Sequence, residues 1–213
     1  MILTLGHTKG GVGKSTLALN IAIERLRAGS DTLIVDADPK QTSISKAIAI
    51  RAEAGLAPAV PCIVLDEARA LRQQVGLLKS KYRDIVIDVG GKDSNALRAA
   101  LTVTDALLLP IGAESVEIWA IDDILELVAE ARGIHDFRVH AVLNRAKPMG
   151  PDNADTMAVI REYPDIELLP GSLGNRGVFS SAFGRGMSVA EYRPRNPKAA
   201  GELAAMMRSL YGD

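Results

Sequence analysis

Residues 8–16, Thr-Lys-Gly-Gly-Val-Gly-Lys-Ser-Thr, gather groups that handle phosphate. Glycines at 10, 11 and 13 let the backbone curl until several N–H groups point at one centre, a turn that side chains would obstruct. A helix opening at residue 13 or 14 adds its unpaired N–H groups and the positive end of its dipole. Lys14 offers a point charge to β- and γ-phosphates, and Ser15 offers a hydroxyl to Mg²⁺. The Gly-Lys-Ser ending matches the P-loop pattern, but Thr8 stands where that pattern has its first glycine. An extra lysine, Lys9, follows it. Asp36 and Asp88 are oxygen donors suited to a Mg²⁺ shell, and the apolar run ahead of Asp88 gives it the setting of a Walker B aspartate. Asp38, one step beyond Asp36, suits the orienting or deprotonation of an attacking water. Gly90 and Gly91 can bring backbone N–H groups to a γ-phosphate, an interaction that hydrolysis removes and so a natural switch.

These groups need elements that hold them on one rim. An apolar run at 2–5 leads into the glycine loop, and a helical pattern at 17–27 leaves it. Residues 32–36 read as a second buried strand, 61–65 as a short one, and 85–88 as an apolar strand covered on both faces. Further strands are predicted at 106–110, 138–143 and 166–169, the last a short one. Helical patterns occupy 42–54, a stretch capped by Asp66 and running to about 80, 94–102, 115–132 and 152–161. Two more are expected around 179–184 and 199–211. Strands alternating with helices predict an α/β, three-layer P-loop NTPase fold with a mostly parallel, doubly wound sheet flanked by helices, as one domain over 1–213. Ligands of such sheets sit at the carboxyl ends of the strands, where the loops at 8–13, 36–38 and 88–91 converge.

Composition narrows the classes. The 213 residues are 47% hydrophobic and 24% charged, ordinary for a globular chain with a substantial core. A formal net charge of −1 means that any nucleic-acid contact must come from a local patch. One cysteine, Cys62, excludes a disulfide framework and a four-cysteine metal site, and its apolar surroundings favour a small buried hydrophobe. His7, His135 and His140 lack zinc-like spacing with each other or with Cys62. Neither a signal peptide pattern nor a run of about 18 apolar residues is visible, so the expectation is a reduced, cytoplasmic protein with no membrane span.

Together, Lys-Gly-Gly-Val-Gly-Lys-Ser-Thr at 9–16, Asp-Ala-Asp-Pro at 36–39 and Ile-Val-Ile-Asp-Val-Gly-Gly at 85–91 resemble the deviant Walker A ATPases. Within them the chain is similar to the ParA family of plasmid and chromosome partition ATPases, in the short form without an N-terminal DNA-binding extension. The stretch 176–191 also resembles the family's arginine, small apolar helix and Gly-x-Ser-Val-x-Glu. The resemblance implies ATP and Mg²⁺ as cofactors, with Gly10, Gly11, Val12, Gly13 and Gly91 around the phosphates. It implies that Lys9 is the signature lysine reaching the partner's phosphates across an ATP-sandwiched homodimer. Lys14 becomes the P-loop lysine, Ser15 a Mg²⁺ ligand, Thr16 an α-phosphate contact, Asp38 the aspartate needed for hydrolysis, Asp88 the Walker B aspartate and Asn144 an adenine contact. One departure is Lys40, which separates the Asp-x-Asp-Pro motif from Gln41 where the family commonly has glutamine directly.

ParA-like ATPases bind DNA without sequence preference as ATP dimers and release it when a ParB-like partner stimulates hydrolysis. The resemblance therefore implies weak basal ATPase activity, nucleoid association in the ATP state, and segregation of plasmid or chromosome DNA. Candidate DNA contacts are Arg176, Arg185, Arg193, Arg195 and Lys198, with Arg208 nearby, in a stretch, 176–208, with few acids. Alternatives that share the phosphate motifs are an ATPase positioning a protein cargo, a membrane-associated MinD-like ATPase, and an ATP-dependent ligase of the dethiobiotin synthetase type. The C-terminal stretch carries one arginine and ends acidic, which favours packing on the domain over membrane binding. Trp119 on the long helical pattern is read as core.

Overall fold

The computed structural model describes residues 1–38, 41–91, 95–113 and 120–212. Among them seven strands form one sheet: β1 (Ile2–Leu5), β2 (Thr32–Ala37), β3 (Cys62–Val64), β4 (Asp84–Val89), β5 (Ala106–Ile111), β6 (Arg138–Ala146) and β7 (Glu167–Gly174). Their order is β3-β2-β4-β1-β5-β6-β7, and every pairing is parallel. The helices are α1 (Lys14–Arg27), α2 (Ser43–Glu53), α3 (Ala68–Leu78), α4 (Asn95–Leu101), α5 (Ala120–Arg132), α6 (Asp152–Arg161), α7 (Gly177–Phe183) and α8 (Pro197–Tyr211). The chain winds outward through β2 and β3, returns to β4, and then crosses β1 to build β5, β6 and β7, so the loop after β1 lies at the reversal of strand order.

The pleat sorts the strands' side chains into two cores. On β4, Ile85, Ile87 and Val89 pack with Leu71 of α3, Leu97 of α4 and Ile124 of α5. Val86 faces the other way, with Leu3 and Leu5 of β1, Ile21 of α1, Ile44 of α2, Phe179 of α7 and Leu203 of α8. Successive strand residues point to opposite faces, so a sheet covered on both sides needs apolar residues at both. That is why β2, β4 and β5 are buried at every position. A fully buried Leu or Ile contributes about 1.5–3 kcal/mol, so these layers fix where the loops at the carboxyl rim stand.

Several expected boundaries move. The last strand runs from Glu167 to Gly174, well beyond the short strand at 166–169, although Pro170 and Gly171 interrupt its apolar pattern. It is an edge strand, and its pairing with β6 shifts register between Ala141 and Leu143 and again before Ala146, which accommodates a proline that a central strand would reject. The final helix starts two residues early because Pro197 takes its first turn, and the Asn196 side chain accepts from the Ala199 N–H. Helix α3 is preceded by Glu67, not capped by Asp66, and no side-chain cap bond forms. Cys62 lies on edge strand β3 and is half-buried, not part of the sealed core. Lys40, Trp119 and the start of the long helix expected at 115 lie outside the described residues.

Candidate functional site

The glycine loop follows β1 and closes on the first turn of α1. Gly13 caps α1 in the left-handed conformation at φ 97°, and a Cβ there would stand 2.5 Å from Asn144 Nδ2. Glycine is therefore required twice over at this position. From the end of β6, Asn144 Nδ2 donates to the Val12 carbonyl at 2.8 Å and Arg145 to the Gly11 carbonyl at 3.2 Å, holding the loop from outside. Asn144 is thus a strut of the loop that also lines the adjoining pocket. At the entrance, His7 Nδ1 accepts from the Lys9 N–H at 3.0 Å. Burial, helped by Lys14 and Lys9, lowers the His7 pKa to about 4, so the ring stays neutral and remains an acceptor.

Lys14 is buried, and its Nζ donates to the Lys9 carbonyl at 3.1 Å. Burial lowers its pKa, against the opposing pull of Asp88 and Asp38. Lys9 is half-buried, and its backbone N–H and carbonyl are both engaged inside the loop.

The carboxylates come from neighbouring strands. Asp36 on β2 pairs in register with Asp88 on β4, one strand spacing away, and Asp88 lies beside Leu5 at the end of β1. Asp36 is fully buried: Oδ1 accepts from the Asp38 N–H at 3.1 Å, and Oδ2 from the Ser45 hydroxyl at 2.5 Å and the Ser45 N–H at 3.3 Å. Its role within the chain is to tie the segment carrying Asp38 to the start of α2. Asp88 is different. Burial raises its pKa to about 7, although the Ser15 hydroxyl and Lys14 pull the other way, and its Oδ1 is buried without a partner among the described residues. A buried carboxylate oxygen left bare beside a hydroxyl offers two oxygens to a cation. No group of three or more His, Cys, Asp or Glu side chains among the described residues could hold a metal alone, so a cation here draws further oxygens from phosphate or water.

The loop after β4 closes the site. A Cβ on Gly91 would fall 2.5 Å from both the Gly10 nitrogen and the Lys9 carbonyl oxygen, and one on Gly90 3.3 Å from the Asp38 carboxyl carbon. Gly91 thus presses its backbone onto the glycine loop, while Gly90 faces Asp38. Lys9, Gly10, Gly11, Val12, Gly13, Lys14, Ser15, Thr16, Asp36, Asp38, Asp88, Gly91 and Asn144 all stand on this one rim.

Beside the loop, Gly11, Gly13 and Thr16 form one wall of a cavity of 290 Å³, and Asn144, Arg145, Gly174, Arg176 and Phe179 the other. Arg176 belongs to this wall, and its guanidinium is bound by Glu202 of α8. Of the other basic residues, Arg195 and Arg208 meet Arg27 in a groove between α1 and α8, lined also by Pro197, Leu203 and Met207. Lys198 is exposed on the first turn of α8. Arg185 stacks over Tyr192, and Arg193 donates to the Glu191 and Tyr192 carbonyls. His7, Ser45, Arg145, Glu202 and Arg27 escaped the sequence reading. Ser45, Arg145 and Glu202 act through partners distant in the chain, and none of the five stands in a motif that would single it out.

A phosphate cradle, a Walker B carboxylate with one bare oxygen and a cavity beside the loop together describe a nucleotide site, and comparison with known proteins supplies the family. The family model described as the CobQ/CobB/MinD/ParA nucleotide binding domain matches residues 3–189. The chain belongs to this family. It is a nucleotide-binding ATPase of the MinD/ParA kind. The maintenance of carboxysome distribution protein A of Halothiobacillus neapolitanus is 25% identical over 210 residues, covering 98% of this chain and 95% of that protein. The chromosome-partitioning ATPase Soj of Thermus thermophilus is 27% identical over 157 residues, 61% of this chain and 62% of that one. Among solved structures, apo McdA from Cyanothece superposes with a TM-score of 0.80 at 18% identity, covering 98% of both chains. The septum site-determining protein MinD of Pyrococcus horikoshii, complexed with Mg-ADP, superposes at 0.78 with 18% identity over 99% of this chain and 95% of that one. At these identities the structural likenesses establish the fold, a parallel sheet between helical layers.

Proposed function

We propose that the protein is an ATP-driven positioning switch of the ParA type: an ATP-bound sandwich dimer that holds nonspecific DNA, reset by hydrolysis. The observation that carries this is the glycine loop with its extra lysine, Lys9, beside a bare Asp88 oxygen. The loop's N–H groups and Lys14 hold the β- and γ-phosphates, Thr16 the α-phosphate, and the cavity bounded by Asn144, Arg145 and Arg176 the nucleoside. Ser15 and Asp88 would hold Mg²⁺, with Asp36 behind them. When bound, the ion supplies charge neutralisation across the phosphates. Asp38, tethered to Asp36 and facing Gly90, orients the attacking water, and Gly91 reads the γ-phosphate from against the loop. Lys14 serves the phosphates in cis, and Lys9, at the outer edge of the loop, would reach the phosphates of a second subunit docked face to face. In that water-poor interface the pairing is far stronger than in solution.

DNA would lie along the groove where Arg27, Arg195 and Arg208 converge, near Lys198, with Arg185 and Arg193 flanking. A ParB-like partner would stimulate hydrolysis and so release plasmid or chromosome cargo from a nucleoid-bound state in the cytoplasm. A second reading keeps the switch and replaces the cargo with a protein assembly. It is favoured by the match over nearly the whole chain to a carboxysome distribution protein, whereas the match to Soj spans 61% of it. Binding of random-sequence duplex DNA with ATP and with ADP, at low and high salt, tests the shared core of both. Salt-sensitive binding that needs ATP supports it, and binding indifferent to nucleotide overturns it.

A further inference from the structure

The nucleoside cavity is finished by a residue 26 positions away from the arginine in its wall. Glu202, on α8, reaches across the end of β7. Its Oε2 accepts from the Gly174 N–H at 3.0 Å and from Arg176 Nε at 3.1 Å, and its Oε1 accepts from the second Arg176 nitrogen at 2.6 Å. The bidentate fork leaves Arg176 folded over Gly174, close enough that a Cβ at 174 would stand 3.0 Å from the guanidinium. One carboxylate thus fixes both the backbone at the end of β7 and the arginine that follows it. Burial pushes the Glu202 carboxyl up, but the Arg176 bonds, the Gly174 N–H and nearby charge hold it below its usual value, so the clamp is anionic at neutral pH.

We infer that Glu202 is a positioning residue for the nucleoside: by clamping Arg176 and Gly174 it shapes the cavity wall before nucleotide arrives. An arginine side chain has many rotamers to order, and a preformed wall removes that cost from binding. The phosphates are gripped elsewhere, by the glycine loop, so the clamp serves ground state and transition state alike. Its loss raises KM and leaves kcat alone. Pure loss of fold would do the reverse, lowering apparent kcat through a smaller active fraction at unchanged KM. The inference rests on the reading that this cavity takes the nucleoside.

The experiment is steady-state ATP hydrolysis by the full chain with Glu202→Ala, Glu202→Gln and Arg176→Ala, and by the Glu202→Ala, Arg176→Ala double variant. Inorganic tripolyphosphate serves as a competitor that engages the loop without a base. Glu202→Ala and Arg176→Ala each raise KM about three- to tenfold with kcat within about twofold, and the double variant is no worse than Arg176→Ala alone. Glu202→Gln, which keeps an acceptor for the Gly174 N–H, falls between wild type and Glu202→Ala, and inhibition by tripolyphosphate is unchanged in all. A fall in kcat at constant KM, or an equal further rise in KM on the Arg176→Ala background, overturns the role given to Glu202. If Arg176→Ala itself leaves KM unchanged, the nucleoside reading of the cavity fails first, and the clamp with it.

Discussion

At the carboxyl ends of β1, β2 and β4 the working groups are backbone N–H groups, glycines and buried carboxylates. In the groove between α1 and α8 the exposed groups are arginines. The first region is rigid by construction. Asp36 is fully buried, Gly91 lies against the glycine loop, and Asn144 and Arg145 brace the loop from β6. The second is built from exposed contacts: Arg27 with Glu24 and Arg185 over Tyr192. Geometry held by buried backbone suits chemistry that tolerates little displacement. Exposed ion pairs contribute little to stability and exchange partners readily, which would suit the DNA contact proposed above. The difference teaches that one sheet presents two kinds of surface, a rigidly braced one at the reversal of strand order and an exposed basic one beside α8.

The largest expected break falls in the rigid region. Lys14→Ala and Asp88→Asn should each reduce ATP hydrolysis by about 10³-fold, because each removes charge at the phosphates that no neighbour replaces. Phosphate release under saturating Mg·ATP measures this, and a loss below tenfold would place the chemistry elsewhere. Asp38→Ala should cost about 10²-fold in kcat while nucleotide affinity stays within about threefold, since the residue is assigned to water and not to binding. A matched loss of affinity would make Asp38 a binding residue.

A third, smaller break concerns pH. His7 has a folded pKa of about 4 against 6.5 unfolded, so its contribution to stability is fully present above pH 6.5 and is lost as pH falls toward 4. At pH 5 the loss amounts to roughly 2 kcal/mol, and His7→Asn, which keeps an acceptor for the Lys9 N–H without titrating, should flatten that part of the curve. Denaturant melts at pH 7 and pH 5 compare the two proteins, and equal slopes would show that His7 does not carry the dependence.

The smallest effect belongs to the exposed basic region. Replacing Arg195 by Glu, or Arg208 by Glu, should weaken DNA binding about tenfold and lower the salt slope by about one, with ATP hydrolysis in the absence of DNA unchanged. If these replacements change hydrolysis as strongly as binding, the two regions are not separable and the contrast drawn between them is lost.

How much of this was legible in the sequence follows the same division. Thr8 to Thr16, Asp36, Asp38, Asp88 and Gly91 could be named in advance because phosphate chemistry at a parallel sheet's rim dictates residue type and spacing within short stretches of chain. Apolar runs likewise marked the strands, although β6 runs three residues past the expected 138–143, and at β7 Pro170 and Gly171 on a register-shifted edge hid half the strand. What could not be read was pairing at long range. Arg176 was marked both as the arginine of the 176–191 motif and as a candidate DNA contact, and its partner Glu202 could not be read; Arg27 joins Arg195 and Arg208 only because α1 and α8 share a face of the sheet. Asn144 was marked as an adenine contact, and its bond to Val12 shows a loop strut as well.

The central claim is that the glycine loop is half of a two-subunit site, completed by Lys9 from a second copy. Light scattering of the purified chain with Mg·ATP and with Mg·ADP, for wild type and for Lys9→Ala, tests it most directly. The account predicts doubling of the mass with ATP, monomers with ADP, and monomers in both for Lys9→Ala, whose ATP affinity as a monomer remains within about threefold of wild type. A Lys9→Ala protein that still doubles its mass with ATP would contradict it.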